Sequence, residues 1–509
     1  MNSPSQKVAN RIVCNAITSW AGMGVSMVIG ILLMPMIVHH LGNRLFGVWV
    51  LVGTLLGYFG FLDLGLSKAI MRFVSKAIGQ QDHDQADKWI TAALFSFSIL
   101  SLLGIFLSGV IWLAAGRLIS NPQDAKVIST AFLIAGLAFS LTLPTTRCFS
   151  GILEAHLRKD IISAVEIAIA LLRACAVVWI ISIGGSLIAL VLATALLSVL
   201  QGMATVFAAF YIHGPIRLRL SVLQRQEWGT FLGYATASFI TEIADIVRFR
   251  SSPLIIAPFL GLAAVTPFAI AERLSSLVVS MSNKALSNLT PAFSQLEGQG
   301  GVDENESLRR SYFFGMKISC YIGTFSVGMV ILLSRPFIQR WMGPQFANTS
   351  LLLAILMIGH FFAIIQIPTI CLLFATSKQK FYAYTNTLQA MLSIGLCLLL
   401  VIPFGLVGVA LGMAIPTFIV KLFIQPIGAV RILKMSLWRY HGLHTLPNTA
   451  IPMLFIISVY FISKLFRMPD YVCIFSIAVI ACLLFIPYIL AFGFTMKERH
   501  MLLRAVWPA

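Results

Sequence analysis

The sequence predicts an all-α polytopic membrane protein of about 14 transmembrane helices: two six-helix lobes in parallel repeat plus a C-terminal helix pair. Three observations lead there. First, 59% of the 509 residues are hydrophobic and only 11% charged, with a mean hydropathy of +0.92, whereas a soluble domain carries roughly 25% charged residues. Second, apolar runs of about 20 residues, each long enough to cross hydrocarbon, follow one another almost from end to end. Third, the chain resembles itself when shifted by 219–220 positions.

In order, the spans are predicted at 12–38, 45–66, 89–115, 126–150, 160–182, 186–211, 229–258, 261–290, 311–334, 346–375, 381–403, 405–430, 447–466 and 471–495. Lys7 and Arg11 precede the first run, "ITSWAGMGVSMVIGILLMPMIV", as in a signal peptide. That run is too long for a signal core and lacks a small-residue cleavage site, so it is expected to stay as the first helix. Lys and Arg then set the orientation. With both termini inside, the cytoplasmic connections hold about 22 basic residues and the outer ones about 7, a strong positive-inside bias. The net charge of +18 is accordingly an orientation and anionic-lipid signal rather than a nucleic-acid one.

The shift aligns spans 1–6 with spans 7–12. Leu41-Gly42 falls on Leu260-Gly261, Gly79-Gln80 on Gly298-Gln299, Ala155 on Ala375, Arg158 on Lys378 and Gly185 on Gly405. Six is an even number, so both halves enter the membrane from the same side. The expected domains are an N-terminal lobe 1–212, a cytoplasmic linker 213–228, a C-terminal lobe 229–435, and an additional helix pair with a cytoplasmic tail, 436–509.

Several chemistries lack their motifs. There is no GxxxxGK[ST] for ATP, no HExxH, and no Cys/His cluster at metal-ligand spacing. The eight cysteines are scattered through apolar stretches and read as small buried residues. No soluble segment exceeds about 20 residues, leaving no room for a catalytic domain. Neither an enzyme nor a cofactor or metal is expected.

Charges inside the spans point to function. "TEIADIVRFRSS" places Glu242, Asp245, Arg248 and Arg250 near the middle of the seventh span. Asp245 and Arg248 stand three apart and can pair, whereas Arg250 lies about 140° from Asp245 around the helix. Arg147, Arg173, Arg273, Lys284 and Lys421 add positive charge, and Glu166 and Glu272 negative; Lys421 and Gln425 stand four apart. A charge at mid-depth costs about 2.5–3.5 kcal/mol even on the lowest scales. Structural ion pairs would offset that for individual residues; a water-filled cavity between the lobes would do so for the set. The candidate substrate-binding cations are Arg147, Arg173, Arg248, Arg250, Arg273 and Lys284. Glu242, Asp245, Glu272 and Glu166 are candidates for ion or proton coupling. A net positive cavity favours an anionic substrate, and arginine's planar fork suits phosphate. Asn15, Thr18, Gln366, Tyr384 and Asn386 are polar enough to bind sugar or to join helices.

"HHLGNRLFGVWVLVGTLLGYFGFLDLGLSKAIMRFVSKAIGQQD" (residues 39–82), with Gly42, Phe46-Gly47, Trp49, Asp63-Leu64-Gly65-Leu66 and Arg72, resembles the start of the polysaccharide transporter family. "GILEAHLRKD" after the fourth span continues the likeness. This family belongs to the multidrug/oligosaccharidyl-lipid/polysaccharide superfamily. The resemblance implies two lobes around a central cavity, alternating access, and the flipping of polyprenyl-pyrophosphate-linked oligosaccharides from the inner to the outer leaflet for O-antigen, capsule or exopolysaccharide. It also implies residence in the cell (inner) membrane, membrane lipids as partners, and association with a polymerase and other assembly proteins. The related lipid II flippase has two extra C-terminal helices that form a groove for the lipid tail, a role the resemblance extends to spans 13 and 14; that protein's arginine-rich opening is not evident here. Two alternatives stand beside this reading. A drug/cation antiporter of the same superfamily would want an acidic cavity; a non-transporting scaffold would want a dry centre with every charge paired.

Overall fold

The computed structural model describes residues 4–118, 122–217, 229, 250–286, 289–298, 304–464, 471–496 and 498–499. Side chains are described from residue 18, except those of 115–118, 122–124, 291, 295, 298, 304 and 305. Every regular element among these residues is a helix. The chain divides into two compact units, Met1–Thr266 and Pro267–Ala509.

The first unit opens with α1 (Pro4–Tyr58), interrupted at Gly42, whose φ of 73° and ψ of 166° glycine adopts without a side-chain clash. A tight turn over Phe59–Asp63 leads through Leu64 and Gly65, both at positive φ, into α2 (Leu66–Gly79). This helix buries Leu66, Ala69, Ile70, Val74 and Ala77 and exposes Lys68, Arg72 and Lys76. It is an amphipathic helix where the sequence reading had only a basic connection. α3 (His83–Leu118) and α4 (Pro122–Leu143) follow. They meet through reciprocal small residues: a Cβ on Gly104 would strike Ser140, and one on Gly136 would strike Ser108. The two serine hydroxyls donate to Gly104 O (2.8 Å, from Ser108) and Gly136 O (2.7 Å, from Ser140), so close approach leaves no polar group stranded. A wide turn at Pro144–Cys148 precedes α5 (Phe149–Ala155), then α6 (Lys159–Ser182) and α7 (Leu187–His213). α8 (Ser252–Leu260) packs on α1 and ends at Gly261, after which α9 (Leu262–Leu286) continues into the second unit.

That unit adds α10 (Leu289–Gly298), α11 (Glu304–Trp341), α12 (Thr349–Ile365), α13 (Ile367–Ala375) and α14 (Gln379–Ile419), which breaks at Gly405 (φ 56°). α15 (Gln425–Ile432), a single turn α16 (Leu437–Arg439), α17 (Leu446–Lys464) and α18 (Tyr471–Phe492) complete it. The last two pack on α11: Met329 and Leu333 join Ile474 and Ala481, and Phe325 stacks on Phe485 at 4.2 Å. Beyond α18 the chain is fastened to α11. Tyr321 donates to Gly493 O (2.7 Å), and Lys317 Nζ donates to both Glu498 oxygens (3.1 and 2.9 Å).

Among the described residues, eleven apolar helical stretches are long enough to cross a membrane. They account for thirteen of the fourteen predicted spans, because Thr18–Asp63 and Gln379–Ile432 each hold two, divided at Gly42 and Gly405. The remaining one, 229–258, lies mostly outside the described residues, as does most of the expected linker 213–228.

Backbone geometry repeats at the predicted shift. Gly261 takes φ 86° and ψ 164°, matching Gly42. α2 ends at Gly79 and α10 at Gly298. After α5, the amides of His156, Leu157 and Arg158 donate to Ile152, Glu154 and Leu153. After α13, those of Thr376, Ser377 and Lys378 donate to Leu372, Phe374 and Leu373, the same pattern 220 positions on. Leu157 and Ser377 share a left-handed φ of 58° and 55°.

Candidate functional site

The DLGL motif has a structural basis. Asp63 is nearly buried and accepts from Ser67 N–H (3.0 Å) and Ser67 Oγ (2.7 Å), capping the first turn of α2. Leu64 and Gly65 supply the left-handed turn that brings the carboxylate back onto that helix end. The oxygen that accepts from Ser67 Oγ, Asp63 Oδ2, also faces Arg147 Nε at 3.9 Å. Arg147 rides on the wide turn after Pro144 and keeps 49% of its side chain exposed, so this contact leaves most of its donors open. Lys159, Glu154 and Glu166 are charged neighbours in the same region, and Glu166 itself is exposed on α6.

Arg173, two turns further along α6, is half-buried, and its Nε has no hydrogen-bond partner. Arg250 is exposed beside Tyr58, and its guanidinium fills the volume that a Cβ on Gly57 would need. The glycine in "LLGYFG" is therefore a seat for an arginine more than 190 residues away. Glu242, Asp245 and Arg248 lie outside the described residues.

In the second unit, Arg273 stands near the middle of α9, exposed, its side chain without a hydrogen-bond or ion-pair partner among the described residues. Glu272 and Lys284 are half-buried on the same helix and both have partners. Lys421 is fully buried, donates to Gln425 Oε1 at 2.6 Å and lies 5.4 Å from the Tyr382 ring centre, while Gln425 Nε2 is left unpaired. The four-residue spacing of this pair in the sequence is realised as a contact.

Of the polar residues expected near sugar, Gln366 is committed elsewhere. Fully buried, it accepts from Thr369 Oγ1 (2.7 Å) and donates to Tyr440 Oη (3.2 Å), while Tyr312 Oη meets Thr369 (2.7 Å) and Tyr440 (3.1 Å). This network bolts the start of the terminal helix pair to α11 and α13. Sequence reasoning missed it because its members lie up to 128 residues apart and each alone reads as an ordinary core residue. Asn386 is buried with a partner, and Tyr384 is exposed. Asn15 has no described side chain.

The model of the polysaccharide biosynthesis protein family matches residues 12–297. A candidate O-antigen transporter of Shigella flexneri is 22% identical over 431 residues, which are 81% of this chain and 97% of that one. The uncharacterized membrane protein EpsK of Bacillus subtilis is 22% identical over 414 residues, 80% of this chain and 81% of that one. Among solved structures, the lipid II flippase MurJ in an inward closed conformation superposes with a TM-score of 0.71 at 14% identity, covering 93% of this chain and 98% of its own. An inward-facing multidrug resistance MATE transporter of the MOP superfamily gives 0.67 at 15% identity, covering 82% and 99%. With the family model matching more than half of its length, and with the fold of these transporters, the chain belongs to the polysaccharide biosynthesis protein family.

Proposed function

We propose that this multi-pass membrane protein is a flippase that moves a polyprenyl-pyrophosphate-linked oligosaccharide from the cytoplasmic to the outer leaflet by alternating access. The lobes would be 1–212 and 229–435, joined by 213–228, with 436–509 guiding the lipid tail. Arg273 carries the reading. An exposed arginine whose side chain has no partner among the described residues, near the middle of an apolar span, has no tolerable place against hydrocarbon, which supports a water-filled path beside it. Arg147 and Arg250 are likewise exposed within or beside spans, and cations outnumber acids in the set. An aqueous path with that balance attracts an anion, and the planar fork of an arginine suits a pyrophosphate. The wider coverage of the lipid II flippase than of the MATE transporter supports a lipid role for the terminal pair.

In the proposed mechanism, Arg250 binds phosphate while Arg248 chiefly pairs with Asp245. Glu242, Asp245, Glu272 and Glu166 are the carboxylates available for ion coupling. The test uses purified protein in proteoliposomes, following protection of a polyprenyl-pyrophosphate oligosaccharide from an external glycan-cleaving enzyme, with a cationic dye in parallel. Protein-dependent exposure of the glycan and no dye transport is the expected result. Dye transport alone would favour the antiporter, and transport of neither would favour the scaffold.

A further inference from the structure

The ends of α11 and α15 border an open cavity of about 530 Å³, whose lining includes the cations Arg309, Arg310 and Lys434, the acid Glu306, and Phe313 and Leu433. The internal repeat shows what this place would be without a ligand. At the same shifts, Arg309 and Arg310 fall on Ile90 and Thr91, and Leu433 and Lys434 on His213 and Gly214. In the first unit the spot is sealed. Ile90 and Thr91 are buried, and buried Asp87 accepts from the Arg217 amide (3.2 Å) and pairs with His213 Nε2 (3.2 Å). His156 stands edge-on against His213 at 5.2 Å. In the second unit Glu306, the counterpart of Asp87, is instead a well-exposed part of the lining and pairs with Arg310 at 3.5 Å, so three cations face one acid there.

Two further observations show that the cationic lining is built. Phe313 is a platform: His444 stacks on it at 3.5 Å and 16°, and the Arg309 guanidinium lies 5.9 Å from its centre. Lys434 adopts φ 50° where the first unit uses Gly214 at φ 90°. A left-handed lysine is strained where glycine is not, and strain retained at a cavity rim is a mark of use. Orienting a loop by positive charge requires neither a cavity nor a strained residue.

We propose that this cavity binds a phosphate-bearing ligand, at a site separate from the transport path, with Arg309 and Arg310 offering forked donors and Lys434 a point charge. The volume suits a headgroup or a small phosphate compound.

The experiment is a thermal-melting titration of the full-length chain in neutral detergent. One arm adds phosphatidylglycerol against phosphatidylcholine; the other adds inorganic phosphate. A saturable rise in melting temperature is expected in one arm, which identifies the source as lipid or soluble. Half-saturation should move at least about fivefold in Arg309→Gln/Lys434→Gln and stay unchanged in Lys378→Gln/Lys380→Gln, which removes equal charge from the exposed start of α14 in the same unit. A second variant, Lys434→Gly, should raise the ligand-free melting temperature and still weaken binding. No saturable response in either arm, equal weakening in the α14 control, or a Lys434→Gly protein that binds like wild type would each overturn the site.

Discussion

Arg250 occupies the space that a side chain at Gly57 would fill. Gly57→Ala should therefore displace the guanidinium and, under the proposed function, lower glycan flux per folded protein, as Arg250→Ala should. The double variant should be no worse than either single; additive losses would show two separate roles. Asp63→Asn tests the motif itself. It weakens the α2 cap and the Arg147 contact, and the expected cost is about 1 kcal/mol in unfolding, read from the shift of a denaturation midpoint. At this scale the sequence was legible where partners are close in the chain: Lys421 and Gln425 stand four apart and touch. It was silent where they are distant. Neither the Gly57–Arg250 packing nor the Tyr312–Gln366–Thr369–Tyr440 network leaves a local pattern, because each is made only when separate helices pack. Tyr440→Phe should cost about 1–2 kcal/mol by leaving buried Gln366 and Tyr312 short of a partner, again measured by unfolding.

Helices in this chain end where the backbone needs an unusual φ. Gly42, Gly261 and Gly405 were visible as repeated glycines, and each marks a break. Leu157 and Ser377 hold equivalent left-handed positions with no residue type in common, so the recurrence is plain only in the backbone. The amphipathic α2 escaped notice because its basic residues fitted a loop equally well; its alternating buried face distinguishes it. The strap after α18 offers a pH test. Burial of Glu498 raises its pKa, but hydrogen bonds from Thr495 and Lys317 outweigh that and hold it below its ordinary 4.5. The folded value is thus below the unfolded one. Its stabilisation is fully present above the unfolded pKa and is lost as pH falls through the folded value. Acid titration in detergent should show early release of the C-terminal segment, by limited proteolysis, in a step that Glu498→Gln removes. An unchanged step in that variant would assign it to another group.

For the whole molecule, hydropathy sufficed for the span pattern, since crossing hydrocarbon imposes length and satisfied backbone bonds on every span. Thirteen of the predicted spans have their helices, and the repeat reappears in the backbone of each unit. The use of the buried charges was harder to read, because pairing and exposure are properties of the packed helices. The central claim is that exposed cations within the spans face water in a positive field. The direct measurement is thiol reactivity of Arg273→Cys, with the native cysteines replaced, using membrane-impermeant anionic and cationic methanethiosulfonates, each rate scaled to a small free thiol. The account predicts that Cys at this position reacts and that the scaled rate is several-fold higher for the anionic reagent. An unreactive thiol, or a preference for the cation, would contradict it.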